Sequence, residues 1–298
     1  MAVPSFGAAT TMPSEANDEP AAAGGGKNMV HNKQGIDMLH GRIWTKVLRF
    51  ALPVAATGIL EQLFNASGIM IVGNFSQSDG TAAVAAVGSN APVTGLILNL
   101  FIGIALGANV VIANAIGRGS REAVRNAVHT SIVTALIGGV IVAIIGELLA
   151  GPLLGMLNVT ADVFPLALAY LRIYLIGMPV ILLYNFETAI FRSIGDTQAP
   201  LAVLAISGVL NVTVGLIFVV LFHWGVSGVA TATVIANVVS SMILLYRLVH
   251  TDAAIHVDLR EFGIDWFTLR QILRIGLPAG VQSAVFAVAN IIIQAAIN

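Results

Sequence analysis

The sequence predicts an all-α polytopic membrane protein, built as a six-helix lobe followed by a seventh helix that begins a parallel repeat of that lobe. Three observations lead there. Charged residues make up only 10% of the chain against 57% hydrophobic, and the mean hydropathy is +0.90, whereas a soluble domain carries about 25% charge. Seven stretches reach the roughly 20 apolar residues that a helix needs to cross a hydrocarbon core about 30 Å thick. Finally, Leu48, Arg49, Leu52, Pro53 and Asn65 return at one constant spacing as Leu273, Arg274, Leu277, Pro278 and Asn290.

The elements follow in chain order. Residues 1–46 mix Pro, Gly, Ala and charge around the run Ala21 to Gly26, and have no apolar core of the kind a signal peptide requires. They are expected to form a disordered tail. The isolated His31 and His40 within it have no neighbouring cluster of metal ligands. Residues 47–249 hold spans one to six: Val47 to Val72, Val84 to Ile112, Ala127 to Leu149, Phe164 to Ile190, Leu201 to Phe222 and Val226 to Leu248. Residues 250–269 form a polar linker, in which Leu259, Phe262, Trp266 and Leu269 could make one apolar stripe of an interfacial helix. Residues 270–298 open the second lobe. The chain stops at Asn298 inside an apolar helix, which reads as a C-terminal lobe cut short.

Orientation rests on Lys and Arg alone. With the tail taken as cytoplasmic, 13 of the 14 basic residues fall on the cytoplasmic side, and Arg172 is the exception. The expected location is the plasma membrane, with the lipid bilayer as the standing partner. The near-neutral net charge of −1 gives no reason to expect nucleic acid, and the absence of cysteine removes disulfides and thiolate metal sites. No paired acids, metal-ligand spacing or nucleophile elbow points to an enzyme, and no cofactor or metal is expected.

Polar residues inside spans are the candidates for function, because charge there is costly. Glu61 stands near the middle of span one. Helical spacing stacks it with Thr57, Asn65 and Gly68. A carboxyl in that position exchanges its proton only when a path to water opens. Asn211, with Ser207 and Gly215 on its face, offers a neutral oxygen to a cation, or else serves as interhelical glue. Asn90, Thr94 and Asn99 in span two, Tyr174, Met178 and Tyr184 in span four, and Gln282 in span seven are candidates for a cavity wall. Glu187 is expected to pair with Arg192 at the end of span four, Glu147 to snorkel or cap, and His223 with Trp224 to anchor at the membrane interface.

Several phrases resemble the multidrug and toxic compound extrusion (MATE) family of cation-coupled exporters. They are Gln62-Leu63-Phe64-Asn65, Val72-Gly73-Asn74-Phe75, Gly107-Ala108-Asn109, His129-Thr130, Tyr184-Asn185-Phe186, Phe191-Arg192-Ser193-Ile194-Gly195-Asp196-Thr197 with Pro200, Leu210-Asn211 and Gly276-Leu277-Pro278. The likeness runs from Trp44 to Asn298. It implies twelve helices in two lobes, alternating access, and export of amphipathic cationic small molecules against H+ or Na+, by a protein that is monomeric at full length. Two aspartates that the family often carries are replaced here by Gly68 and Gly215. Glu61, Asn65 and Asn211 are therefore the candidate cation-coupling residues. Thr57, Asn90, Tyr184 and Gln282 are the candidate substrate-cavity residues. A lipid-linked sugar flippase of similar architecture is the alternative, although no Lys occurs after Lys46. A seven-helix receptor is a distant one.

Overall fold

Proline and glycine decide where these apolar stretches bend and where they touch. The computed structural model describes residues 43–76, 80–157, 159–258 and 263–297. The helices are α1 Ile43–Phe75, α2 Gly80–Gly117, α3 Arg121–Met156, α4 Phe164–Ile176, α5 Met178–Ser193, α6 Gln198–Leu216, α7 Gly225–Val249 and α8 Trp266–Ile297, and no strand occurs among the described residues. Six of them are long and apolar enough to cross a membrane. Leu52, Leu63, Leu148 and Phe286 stand exposed along their surfaces, as lipid-facing side chains do. The predicted tail, up to the start of α1 at Ile43, lies outside the described residues.

The fourth span differs from expectation. It is two helices, α4 and α5, bent by 53° at Gly177. Pro179 near the start of α5 has no N–H to continue the ladder of α4, so the helix must restart there. Span five also changes character toward its end, where α6 passes into a π-helical turn over Ile217–Leu221. His223 and Gly225 follow with φ of 58° and 51°. Trp224 tilts against Phe218 with ring centroids 4.9 Å apart, which makes a compact aromatic corner.

Between α5 and α6 the Gly195-Asp196-Thr197 phrase is helix punctuation. Gly195 takes the left-handed conformation (φ 79°) and releases the chain from α5. The buried Asp196 carboxylate then accepts the Gln198 and Ala199 N–H groups at 3.1 and 3.0 Å. Ser120 does the same for α3, its hydroxyl accepting the Ala123 N–H at 3.3 Å.

Two apolar clusters fill the interior. One joins Ile112, Ile132, Phe186, Ile190, Leu244 and Leu248 with Ile272 of α8, and the other joins Leu154, Leu171, Leu175 and Met178 with Val226 and Val229. The start of the linker belongs to the first cluster, since Ile255 and Val257 are fully buried in it.

The linker is tied to α3 by the His129-Thr130 pair. The Asp258 N–H donates to His129 Nε2 at 3.2 Å, and the Asp265 N–H donates to Thr130 Oγ1 at 3.1 Å. Of the stripe proposed for an interfacial helix, Leu259 and Phe262 lie outside the described residues. Trp266 and Leu269 belong to α8, and residues 250–258 are not helical. Asp265 caps α8, with its carboxylate accepting the Thr268 hydroxyl and the Phe267 and Thr268 N–H groups. The Thr268 hydroxyl foremost, then the two amides, hold this carboxyl below the usual aspartate range. The capping contribution is complete above the ordinary aspartate value of about 3.9 and fades as pH falls through the lowered one.

The closest helix contact is α2 against α8. A Cβ built on Gly103 would lie 2.1 Å from the Gly280 backbone, and one on Gly107 would lie 2.4 Å from the Ile272 carbonyl oxygen and 2.7 Å from the Gly276 nitrogen. Two glycines four residues apart on each helix let the backbones touch, as in small-residue crossings of membrane helices generally. Further along α2, Gly95 has open space instead.

Two predictions follow from these contacts. Gly103→Ala overpacks the crossing and costs about 1–3 kcal/mol, whereas Gly95→Ala gains about 0.5–1 kcal/mol by helix propensity alone. Thermal unfolding of the two variants in detergent should move in opposite directions. Thr130→Val removes the acceptor of the Asp265 amide, so tryptic cleavage after Arg260 should run several-fold faster than in the parent, and an unchanged rate would refute the tether.

Candidate functional site

The site is built where α1, α2, α5, α6 and α7 face one another. Glu61, Asn65 and Phe64 come from α1, Tyr184 and Asn185 from α5, Ser207 and Asn211 from α6, and Thr233, Asn237 and Ser240 from α7; together with Tyr174 of α4 they line a polar cavity of about 160 Å³. The Asn211 Nδ2 donates to Thr233 Oγ1 at 3.4 Å, joining α6 to α7. The three residues expected to serve a cation thus share one wall, although they come from two helices far apart in sequence.

A second cavity of about 460 Å³ adjoins the first, lined by Phe50, Val54, Thr57, Glu61, Ile102, Leu106, Asn109, Tyr184, Asn185, Thr188 and Arg192, with Ser283 of α8 closing one side. That volume lies in the range of small-molecule pockets. Glu61, Tyr184 and Asn185 belong to both cavities. Thr57 is buried, and its hydroxyl donates to the Pro53 carbonyl at 2.8 Å. It therefore presents a wall, with its own donor already used. Asn109 likewise spends its Nδ2 on the Ala189 carbonyl at 2.8 Å, fixing α2 to α5.

Five of the residues expected on the cavity wall, Asn90, Thr94, Asn99, Met178 and Gln282, line neither cavity. Asn90 is fully buried and donates to the Ala86 and Ala167 carbonyls at 2.8 and 3.0 Å, so it joins α2 to α4 and lines neither cavity. Gln282 is exposed on α8, next to the Ser283 that does reach the larger cavity. Met178 is core.

The expected pairing of Glu187 with Arg192 does not form. Five residues along a helix are not on one face, where positions three or four apart meet. Glu187 is fully buried, with neither oxygen hydrogen-bonded among the described residues, and Ser241 of α7 is the polar side chain that faces it. Arg192 is half-buried and lines the larger cavity instead. Glu147, expected to snorkel or cap, pairs with Arg172 of α4, with Nε 3.5 Å from Oε2. Arg172, the exception in the expected orientation, thus has an acid beside it.

Gly68 is buried, and a Cβ there would stand 3.1 Å from Val229 Cγ1 of α7. Where the resemblance places an aspartate, α1 and α7 close together instead.

Comparison with known proteins agrees with this architecture. Residues 53–217 match the MatE family model, and the chain belongs to the MATE family of transporters. It is 27% identical over 263 residues to the probable multidrug resistance protein YoeA of Bacillus subtilis, covering 86% of this chain and 56% of that protein. It is 28% identical over 257 residues to the probable multidrug resistance protein NorM of Thermotoga maritima, covering 81% and 52%. An outward-facing structure of a multidrug resistance MATE transporter superposes with a TM-score of 0.78 at 27% identity, covering 87% of this chain and 56% of that one. The chain spans about half the length of the curated relatives it matches. These matches place it among integral membrane transporters and do not favour the flippase alternative.

Proposed function

We propose that this chain contributes the N-terminal lobe and the first helix of the second lobe to an exporter of amphipathic, cationic small molecules, driven by entry of H+ or Na+. The observation that carries this reading is the double membership of Glu61. One carboxyl lines both a small polar cavity and a larger, partly apolar one. A cation in the small cavity and a substrate cation in the large one would compete for the same negative charge. Competition for one site is the simplest form of antiport, since a single group has differential affinity for two ligands.

In this scheme Glu61 is the titrating group, and Asn65 and Asn211 supply neutral oxygens beside it. Thr57 and Tyr184 shape the substrate wall. Loss of the two family aspartates supports the assignment, because Glu61 is the acid left at this wall. Alternating access requires a second lobe to rock against the first, and the α2–α8 contact is where the two would meet. The N-terminus is cytoplasmic, the membrane is the plasma membrane, and the complete protein works as a monomer. The names of the multidrug resistance relatives support the substrate class.

Glu61→Gln in the full-length protein should abolish proton- or sodium-driven dye movement in proteoliposomes, a loss of at least tenfold. Substrate binding should become insensitive to pH and Na+ in the same variant. Undiminished ion-driven transport would overturn the reading.

A further inference from the structure

Arg192 is the feature of the larger cavity that export of simple cations leaves unexplained. Tyr184, Asn185, Thr188, Ala189 and Arg192 all line that cavity, and their spacing of three and four is one face of α5. Arg192 therefore continues the cavity wall by one more turn. It sits in the last turn of α5, where the helix dipole favours a cation, and a guanidinium stays charged under any cellular condition.

No acid among the described residues closes an ion pair with Arg192. Glu187 is buried between α5 and α7, and Glu61 shares the cavity with Arg192 and acts on it only as a nearby charge. Phe50, Val54, Ile102 and Leu106 line the same cavity, apolar walls that sharpen electrostatic interactions by excluding water. A purely cationic guest would meet this fixed positive charge and be repelled by it. A guest with an anionic group at one end and a cationic centre at the other would satisfy Arg192 and Glu61 together.

We propose that Arg192 is a specificity-determining residue that binds an anionic group of the substrate, so that the cavity selects amphipathic zwitterions over simple cations. This rests on reading the cavity as the substrate site. The guanidinium fork suits a carboxylate, which it can hold through two parallel hydrogen bonds. Glu61 takes the cationic end, and the apolar walls take the body between them.

A matched pair of dyes tests it. Rhodamine B carries a free carboxylate and is a zwitterion at neutral pH, whereas its methyl ester is a permanent cation with the same ring system. Affinities for both are measured by fluorescence anisotropy on the purified full-length protein in detergent. The parent should prefer rhodamine B over the ester. Arg192→Gln should lower that preference about tenfold, and Arg192→Lys, which keeps the charge without the fork, should lower it partway. Glu61→Gln should weaken both dyes, since they share the cationic ring. A preference unchanged in both Arg192 variants would overturn the proposal and leave Arg192 as a counter-charge for Glu61. If the folded parent binds neither dye, the substrate reading of the cavity falls, and this inference falls with it.

Discussion

Four glycines hold α8 against α2. Gly103 and Gly107 of α2 meet Gly276 and Gly280 of α8 with backbone against backbone, so no side-chain rearrangement can absorb a change there. The crossing also fixes what lies beside it. Ile102, one residue from Gly103, faces both cavities, and Ser283, three residues past Gly280, closes the larger one. A contact made for packing thereby sets the width of the site. Lipid supplies little drive for helices to associate, so an approach this close derives its strength from dispersion over many backbone atoms.

The site itself is a neutral amide and hydroxyl surface with one acid. Asn65, Asn185, Asn211 and Asn237 surround Glu61 in the smaller cavity. Such a surface can dissolve a cation without supplying charge, and it leaves the charge to a single residue. The tight fit of Gly68 against Val229 gives the absence of the family acid a steric aspect. α1 and α7 have closed the gap, and the Glu61 carboxyl stands two turns earlier on the same helix.

Much of this was readable from the chain, for reasons that differ by residue. The spans and the shared face of Thr57, Glu61 and Asn65 are local periodicities, and the helices reproduce them. Asn211 joined Glu61 through tertiary packing; its polarity inside an apolar span was the signal that marked it. The break at Gly177 was hidden because hydropathy carries no direction, although Gly177-Met178-Pro179 was there to suggest a restart. Proximity in sequence pairs Arg192 with Glu187, yet its spacing from Tyr184 and Thr188 puts it on the cavity face. Asn90 was legible as polar and intramembrane, but nothing local separates a cavity wall from a helix contact. The partner that decided it, the Ala167 carbonyl, lies in another helix.

The adjacent anchors on α3 alter the mechanics of the inter-lobe connection. Asp258 and Asp265 are both bonded to neighbouring residues, His129 and Thr130, so only the six residues 259–264 run between fixed points. Six residues reach at most about 20 Å when fully extended, whereas the twenty residues 250–269 without anchors could reach about 70 Å. The two anchors hold the start of α8 beside α3, which raises the effective concentration of its glycine face at α2 within the chain.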